Sequence, residues 1–286
     1  MLQNIIISKP TLMYSVLDKY IIKSEIVPYL PLAKRGFQVT VPLEEIVNAV
    51  IYKLKTGVQW HLLPVKSLFD TDFLSWQSVY YHYRKWCKTD VLKESWIRIL
   101  EKNKSKLDLS SVDFDGSHSS AIRGGEEAKY QGRKKRKTTN ALYLSDRQGL
   151  PLAISNPVAG NHNDLYNIKA QFEVVTSTLE QAHISVEGLF LNADAGFDSE
   201  EFRLCCEKKE INANVCFNKR NGDTDRDEYF DPLLYSQRYK IERTNAWMDS
   251  FRSLLNRFDT SIASWLGFNY LAFITIALKK FNKKKV

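Results

Sequence analysis

The sequence predicts a mixed α/β fold, a five-stranded sheet flanked by helices, preceded by an all-α amino-terminal region. Three observations predict it. Before about residue 107, apolar residues recur at helical spacing with short turns between the stretches. From residue 108 the period shortens to β-rich apolar runs bounded by turn residues. After the third such run, helical stretches alternate with strands, the order expected of crossover connections.

Composition sets the outer bounds. The 286 residues, 44% hydrophobic and 26% charged, suffice for one large domain or two modest ones with ample core. Lys and Arg outnumber Asp and Glu by 41 to 33, a net charge of +8 with pI near 9.1. That balance favours polyanion partners, either nucleic acid or an anionic membrane surface. Cys87, Cys205, Cys206 and Cys216 form no C-x-x-C pair and read as reduced thiols of a cytoplasmic protein. No signal peptide opens the chain, and the apolar run at 270–278 is too short to span a bilayer, so it is expected to be a buried helix.

Residues 1–40 carry Pro10, Pro28 and Pro31, which break any long element. Pro42 is placed as a first helical residue, and Leu43, Ile46, Val47, Val50, Ile51 and Leu54 follow at helical spacing up to Gly57, a left-handed cap. Further helices are expected over 74–88 and 91–104. Such a module suits helix-turn-helix DNA binding, with helical packing or dimerisation as its alternative. Strands are expected at 109–115, 140–145, 152–156, 188–193 and 211–217. Asp164 is expected to cap a helix over 165–183, and Ser199 another whose first turn carries Glu200 and Glu201. A polar stretch, NKRNGDTDRDEYFDP, precedes a long helical pattern.

The chemistry is carried by acids at element ends. Asp115 closes the first strand, Asp194 closes the run GLFLNA, and Glu242 lies in the last polar helical pattern. Carboxylates from two strand ends and a helix can converge on Mg²⁺, a hard ion that prefers oxygen ligands, to move phosphodiester bonds. Asp113 shares a strand face with Asp115, and one of the two is expected to be a principal ligand. Asp198 has a structural reading beside the helix start. Tyr235, Arg238, Glu242 and Asp249, at offsets 0, 3, 7 and 14, are expected along one helix face. With the basic balance, the acids point to an enzyme that cuts and joins DNA.

These motifs resemble the DDE transposases of bacterial insertion sequences, in the insertion-sequence-five group of the insertion-sequence-four superfamily. The resemblance covers roughly residues 40–280. DGSH at Asp115 is similar to the family's first-aspartate motif, ADAGFDS at Asp194 to the second, and Tyr235-x2-Arg238-x3-Glu242 to the signature around the glutamate. LKTGVQWHLLP, VYYHYRKW and GNHND are further similar blocks. The resemblance implies an RNase H-like core, with Asp115, Asp194 and Glu242 as catalytic residues and metal ligands. One departure stands out: Asp249 occupies the position where the superfamily carries Lys or Arg, leaving Arg243 or Arg252 as replacement phosphate contacts.

The densest positive run, Arg133, Lys134, Lys135, Arg136 and Lys137, lies in the loop after the first strand and is expected to contact DNA phosphates. His118 could contact DNA or a metal-bound water, with a plain hydrogen bond as its alternative. Trp247, Phe251, Phe258, Trp265, Phe268 and Phe273 read mainly as core. The expected partners are double-stranded DNA, as terminal inverted repeats and target, and a second copy of the chain. Mg²⁺ is the expected cofactor, with Mn²⁺ as its substitute. The expected division is a helical region at 1–106, binding DNA ends or mediating assembly, and a catalytic domain at 107–286. A catalytically silent, transposase-derived DNA-binding regulator is the alternative, and an unrelated metal nuclease would leave the helical region unexplained.

Overall fold

The computed structural model describes residues 15–31, 39–70, 72–222 and 229–282. Pro10 and part of the polar stretch at 218–232 therefore lie outside the described residues. The amino-terminal helices are α1 (Lys19–Glu25), α2 (Leu43–Thr56), α3 (Val65–Leu68), α4 (Trp76–Lys88) and α5 (Val91–Asn103). α1 is an element that the proline-rich opening concealed, and Asp18 caps it by accepting from the backbone N–H groups of Tyr20 and Ile21. α2 begins one residue later than expected, with Pro42 as its N-cap, and ends on Gly57 at φ 70° as expected.

The sheet follows: β1 (Val112–Ala121), β2 (Lys129–Gln131), β3 (Arg136–Asp146), β4 (Pro151–Ile154), β5 (Val158–Ala159), β6 (Phe190–Ala193), β7 (Asn212–Val215) and β8 (Asn256–Arg257). β1 runs antiparallel to β3 from Val112↔Asp146 to Ser120↔Thr138 and parallel to β6, which runs parallel to β7. Because β1 occupies one side of β3 throughout, β2, β5 and β4 share the other side in line. The five expected strands are therefore β1, β3, β4, β6 and β7, in a mixed sheet. β1 and β3 are longer than their apolar cores, because pairing between them carries polar residues such as Ser117, Ser119, Thr138 and Thr139 into the ladder.

Helices α6 (Ile168–Gln181) and α7 (Glu200–Lys208) meet the sheet face bearing Phe114, whose ring lies 5.7 Å from Phe172 and 5.6 Å from Phe202. Ser199 caps α7 by accepting from the Phe202 N–H. α6 starts later than expected: its N-cap is Asn167, and Asp164 accepts instead from the Asn140 side chain at 2.7 Å. The long helical pattern breaks into α8 (Pro232–Tyr235), a 3₁₀ turn at Ser236–Tyr239, α9 (Lys240–Asp249) and α10 (Arg252–Leu255).

α11 (Ile262–Phe281) is more than twice the length of the apolar run that announced it. By length and composition it could cross a membrane, but 72% of its most apolar stretch is buried in this fold. Tyr83 on α4 stacks on its Phe268 at 4.5 Å, and Trp96 on α5 meets its Phe273 at 5.6 Å. Amino-terminal helices, sheet and α11 thus share one contiguous core. Trp86 and Trp96 are fully enclosed, while Trp60 and Trp76 pack against the core from its margin. All four cysteines are free.

Candidate active site

Strand register sets the two aspartates side by side. The parallel pairs Val112↔Leu191, Asp113↔Asn192 and Phe114↔Ala193 lead, one residue on, to Asp115 and Asp194. Side chains alternate along a strand, so both carboxylates project to the face opposite Phe114. Beneath them runs a buried polar chain. The Asn192 amide donates to Asp113 at 2.9 Å, the Asn214 amide to Asn192 at 2.8 Å, and the Asp231 N–H to Asn214 at 2.8 Å. These bonds fasten β1, β6 and β7 to the start of α8, and so fix the approach of Tyr235 and Arg238. Asp113 is spent in this network, which leaves Asp115, half-exposed, as the strand's available acid.

Burial pushes the Asp115 carboxyl up to about 6; Arg238 opposes the shift, and the negative charges of Asp194 and Asp164 add to it. Burial likewise raises Asp113 to about 7, against the Asn192 hydrogen bond and the charges of Arg238 and Lys240. Asp194 accepts from the Gly196 N–H at 2.8 Å, an approach close enough that a Cβ on Gly196 would stand 2.8 Å from the same oxygen. Asp164 is a further acid whose charge acts on Asp115, from the sheet face that bears Phe114. Its carboxylate fills the space over Gly116, where a Cβ would lie 2.2 Å from Oδ1. The block GNHND and the glycine after Asp115 are the only traces of that contact in the sequence.

α9 has two edges separated by its buried residues Ile241, Thr244 and Met248. Glu242, Asn245 and Asp249 share one edge at helical spacing, continuing the line of Arg238. That edge faces the acids: Arg238 acts on Asp115, and the charge of Asp249 reaches Tyr143, the register partner of Asp115. Tyr235, beneath the Arg238 guanidinium at 5.7 Å, feels the charge of Asp194. Glu242 itself is exposed and makes no hydrogen bond or ion pair among the described residues. Arg243 points from the opposite edge, donating to the Gln148 carbonyl at 3.3 Å, and Arg252 sits against Gly57 at the end of α2. The structure therefore brings neither arginine to the acids.

The basic run is the tip of the β2–β3 hairpin: Arg133, Lys134 and Lys135 lie in its turn, and Arg136 and Lys137 pair with Gln131 and Tyr130. All five cations are exposed. Charge from the tip reaches His118, from Lys134 and Arg133, and Asp249, from Lys134. His118 makes the plain hydrogen bond, 3.1 Å to the Thr138 hydroxyl, and burial lowers its pKa. Asp198 is structural, buried and paired with Arg203 at 2.9 Å. Trp265, Phe268, Phe273 and Phe251 are core as expected, but Phe258 is 48% exposed and Trp247 lies outside the core. Both flank the chain reversals around α10.

Oxygen donors side by side on a sheet face, one raised to about 6 chiefly by burial, suit a hard divalent cation. Asp115 and Asp194 supply the floor. Among the described residues, no group of three or more His, Cys, Asp or Glu is gathered closely enough to hold a metal.

A family model described as "Transposase DDE domain" matches residues 106–276, more than half of the chain. The chain belongs to the DDE transposases. A second model, described as "Putative transposase of IS4/5 family", matches residues 24–96, within the helical region. The mixed sheet with its flanking helices is accordingly the RNase H-like transposase core, and the protein is a DNA transposase whose chemistry depends on divalent cations. No curated protein matches the chain. Among solved structures, the Mos1 strand transfer complex aligns at 11% identity and TM-score 0.33, over 89% of this chain and 83% of that one. The pre-cleavage Mos1 transpososome aligns at 11% identity and TM-score 0.29, over 89% and 83%. The Mos1 paired-end complex with left transposon end aligns at 14% and 0.27, over 88% and 82%. Likeness this slight places no residue of the site.

Proposed function

We propose that Asp115, Asp194 and Glu242 are the catalytic carboxylates with which this transposase cleaves insertion-sequence ends and joins them to target DNA. The observation that carries the reading is the β1–β6 register, which sets Asp115 beside Asp194 on adjacent strands. Mg²⁺, with Mn²⁺ able to substitute, would be held by these three acids and would neutralise phosphate charge while activating a water or a 3′-hydroxyl. Glu242 completes the set when α9 moves or its side chain swings inward, and its freedom from other partners leaves it available to do so. Arg238 offsets negative charge beside Asp115, and Tyr235 borders Asp194, so both stand where a phosphate would enter. The hairpin cations Arg133, Lys134, Lys135, Arg136 and Lys137 hold the DNA backbone over the site.

The helical region contributes end recognition or assembly, and pairing of two DNA ends calls for at least two copies of the chain. DNA chemistry of this kind places the protein in the cytoplasm. The test is a cleavage and strand-joining assay with Mg²⁺ on terminal-repeat DNA. Asp194→Asn should lose activity by roughly 10²-fold or more, since several kcal/mol of charge stabilisation at the transition state depend on the ligand. DNA binding should persist, because the basic surface remains. Full cleavage by that variant would remove Asp194 from the mechanism.

A further inference from the structure

A pocket of about 630 Å³ opens on the edge of α9 turned away from Glu242. Six cations line it: Lys55 from α2, Arg147 from the β3–β4 turn, Lys240 and Arg243 from α9, and Lys279 and Lys280 from α11. Asp108 is the one carboxylate among its lining residues. None of the six cations is in an ion pair among the described residues. Four of them are held instead by neutral acceptors. Arg243 donates to the Gln148 carbonyl, Lys55 to the Ser250 hydroxyl at 2.9 Å, and Arg147 and Lys240 to the Gln237 side chain at 2.9 and 3.2 Å.

Such a concentration is costly for the chain alone. Burial lowers the pKa of Lys55, Lys279 and Lys280; neighbouring positive charge lowers Lys55 further, while at Lys280 the charge of Arg243 is opposed by Asp146 and Asp108. A solvated basic face spreads its charges over convex surface; this one gathers them in a concavity, where an anion would relieve their repulsion. Two aromatic rings complete the wall. Lys280 lies 5.7 Å from the Trp247 ring centre, and Lys55 lies 4.8 Å from that of Phe251. Trp247 is half-exposed where the sequence pattern suggested core. The volume is that of a small-ligand site and far too small for a duplex.

We propose that this pocket binds a phosphorylated nucleoside, with its phosphates on the lysines and arginines and its base against Trp247. The same chemistry has two sources, a free nucleotide or an unpaired nucleotide unit of a DNA strand. The second source rests on the DNA-cutting reading above; the pocket's chemistry does not. The site lies across α9 from the acids, so occupancy there would bear on the helix that carries Glu242.

Calorimetric titration of the full chain in EDTA, with ATP and separately with a hexathymidylate strand, tests the proposal without any catalytic step. At least one should bind, and Lys279→Gln/Lys280→Gln should weaken it by roughly 10-fold or more, as charge-assisted hydrogen bonds are lost. Trp247→Ala should weaken the nucleotide more than inorganic tripolyphosphate, which has no base to stack. Circular dichroism and melting of each variant confirm that it is folded. Binding of ATP alone assigns the free source, and binding of the strand alone assigns the DNA source. Binding of neither, or equal affinity in the wild type and the folded lysine variant, overturns the proposal. Because no metal is present, that failure would leave the assignment of Asp115, Asp194 and Glu242 untouched.

Discussion

Asp113 and Asp115 are two residues apart on one strand face, yet their surroundings give them different work. Asp113 is sealed beneath the site against Asn192, while Asp115 opens onto it. Both have folded pKa values raised above 3.8, to about 7 and about 6. The folded chain therefore retains protons that the unfolded chain releases. Their contribution to stability is complete below the unfolded value and is lost as pH rises through the folded ones. Metal-free protein should thus lose stability between about pH 4 and pH 7. Asp113→Asn keeps the acceptor for Asn192 but cannot ionise, so it should stabilise the metal-free protein at pH 8 by ~1–2 kcal/mol and flatten the slope. Urea melts at pH 5 and pH 8 check this, and unchanged pH dependence would show that the buried network compensates the charge. Gly116→Ala should cost ~1–3 kcal/mol, because its Cβ would collide with the Asp164 carboxylate. A melt with no loss would mean that Asp164 moves freely.

At the scale of elements, the β2–β3 hairpin and α9 each present charge to the site from a different direction. The hairpin was legible as a basic run, but its pairing was not, since Gln131, Arg136 and Lys137 carry no alternating apolar pattern. Changing Lys134, Lys135, Arg136 and Lys137 to Ala should weaken DNA binding and flatten its salt dependence by up to about four phosphate equivalents. Preference for the terminal repeat over random DNA should change less, because phosphate contacts position the duplex and base contacts specify it. Filter-binding titrations across a salt series measure both, and an unchanged slope would return the hairpin to a solvated face. In α9, three residues at helical spacing are buried and the two flanking edges diverge, one toward the acids and one toward the basic pocket. Sequence spacing groups residues on an edge; it does not say which edge meets the sheet.

Across the whole molecule, the change of period near residue 107 marks a change of secondary structure within one core. The Trp96 indole donates to the Leu152 carbonyl at 2.8 Å, the Tyr83 hydroxyl donates to the Ser264 carbonyl, and Lys53 donates to Ser253 at 3.0 Å. These contacts join the helical region to the sheet, to α11 and to α10. A chain beginning at Lys106 would leave Phe268 and Phe273, both fully buried in the intact fold, facing water. Burying such a side chain is worth roughly 1.5–3 kcal/mol each, a large share of the ~5–15 kcal/mol that stabilises a domain. Expressed alone, residues 106–286 should therefore aggregate or lack a cooperative melt. A sharp thermal transition in that fragment would show that the two regions are separable.

Local patterns determined the class of fold, the five principal strands and most helices, and they nominated the three acids and the basic run. Period, turn residues and caps are properties of neighbours along the chain, and Gly57 and Ser199 took the capping roles that their positions announced. The tertiary structure alone decided the rest. It drew Asp164 off the cap it could have made and onto Gly116, seated Asp113 in a buried network, and left Trp247 at a pocket wall. Each of these outcomes depends on strand register and helix rotation, set by the packing of residues far apart in sequence, and no local spacing encodes that packing.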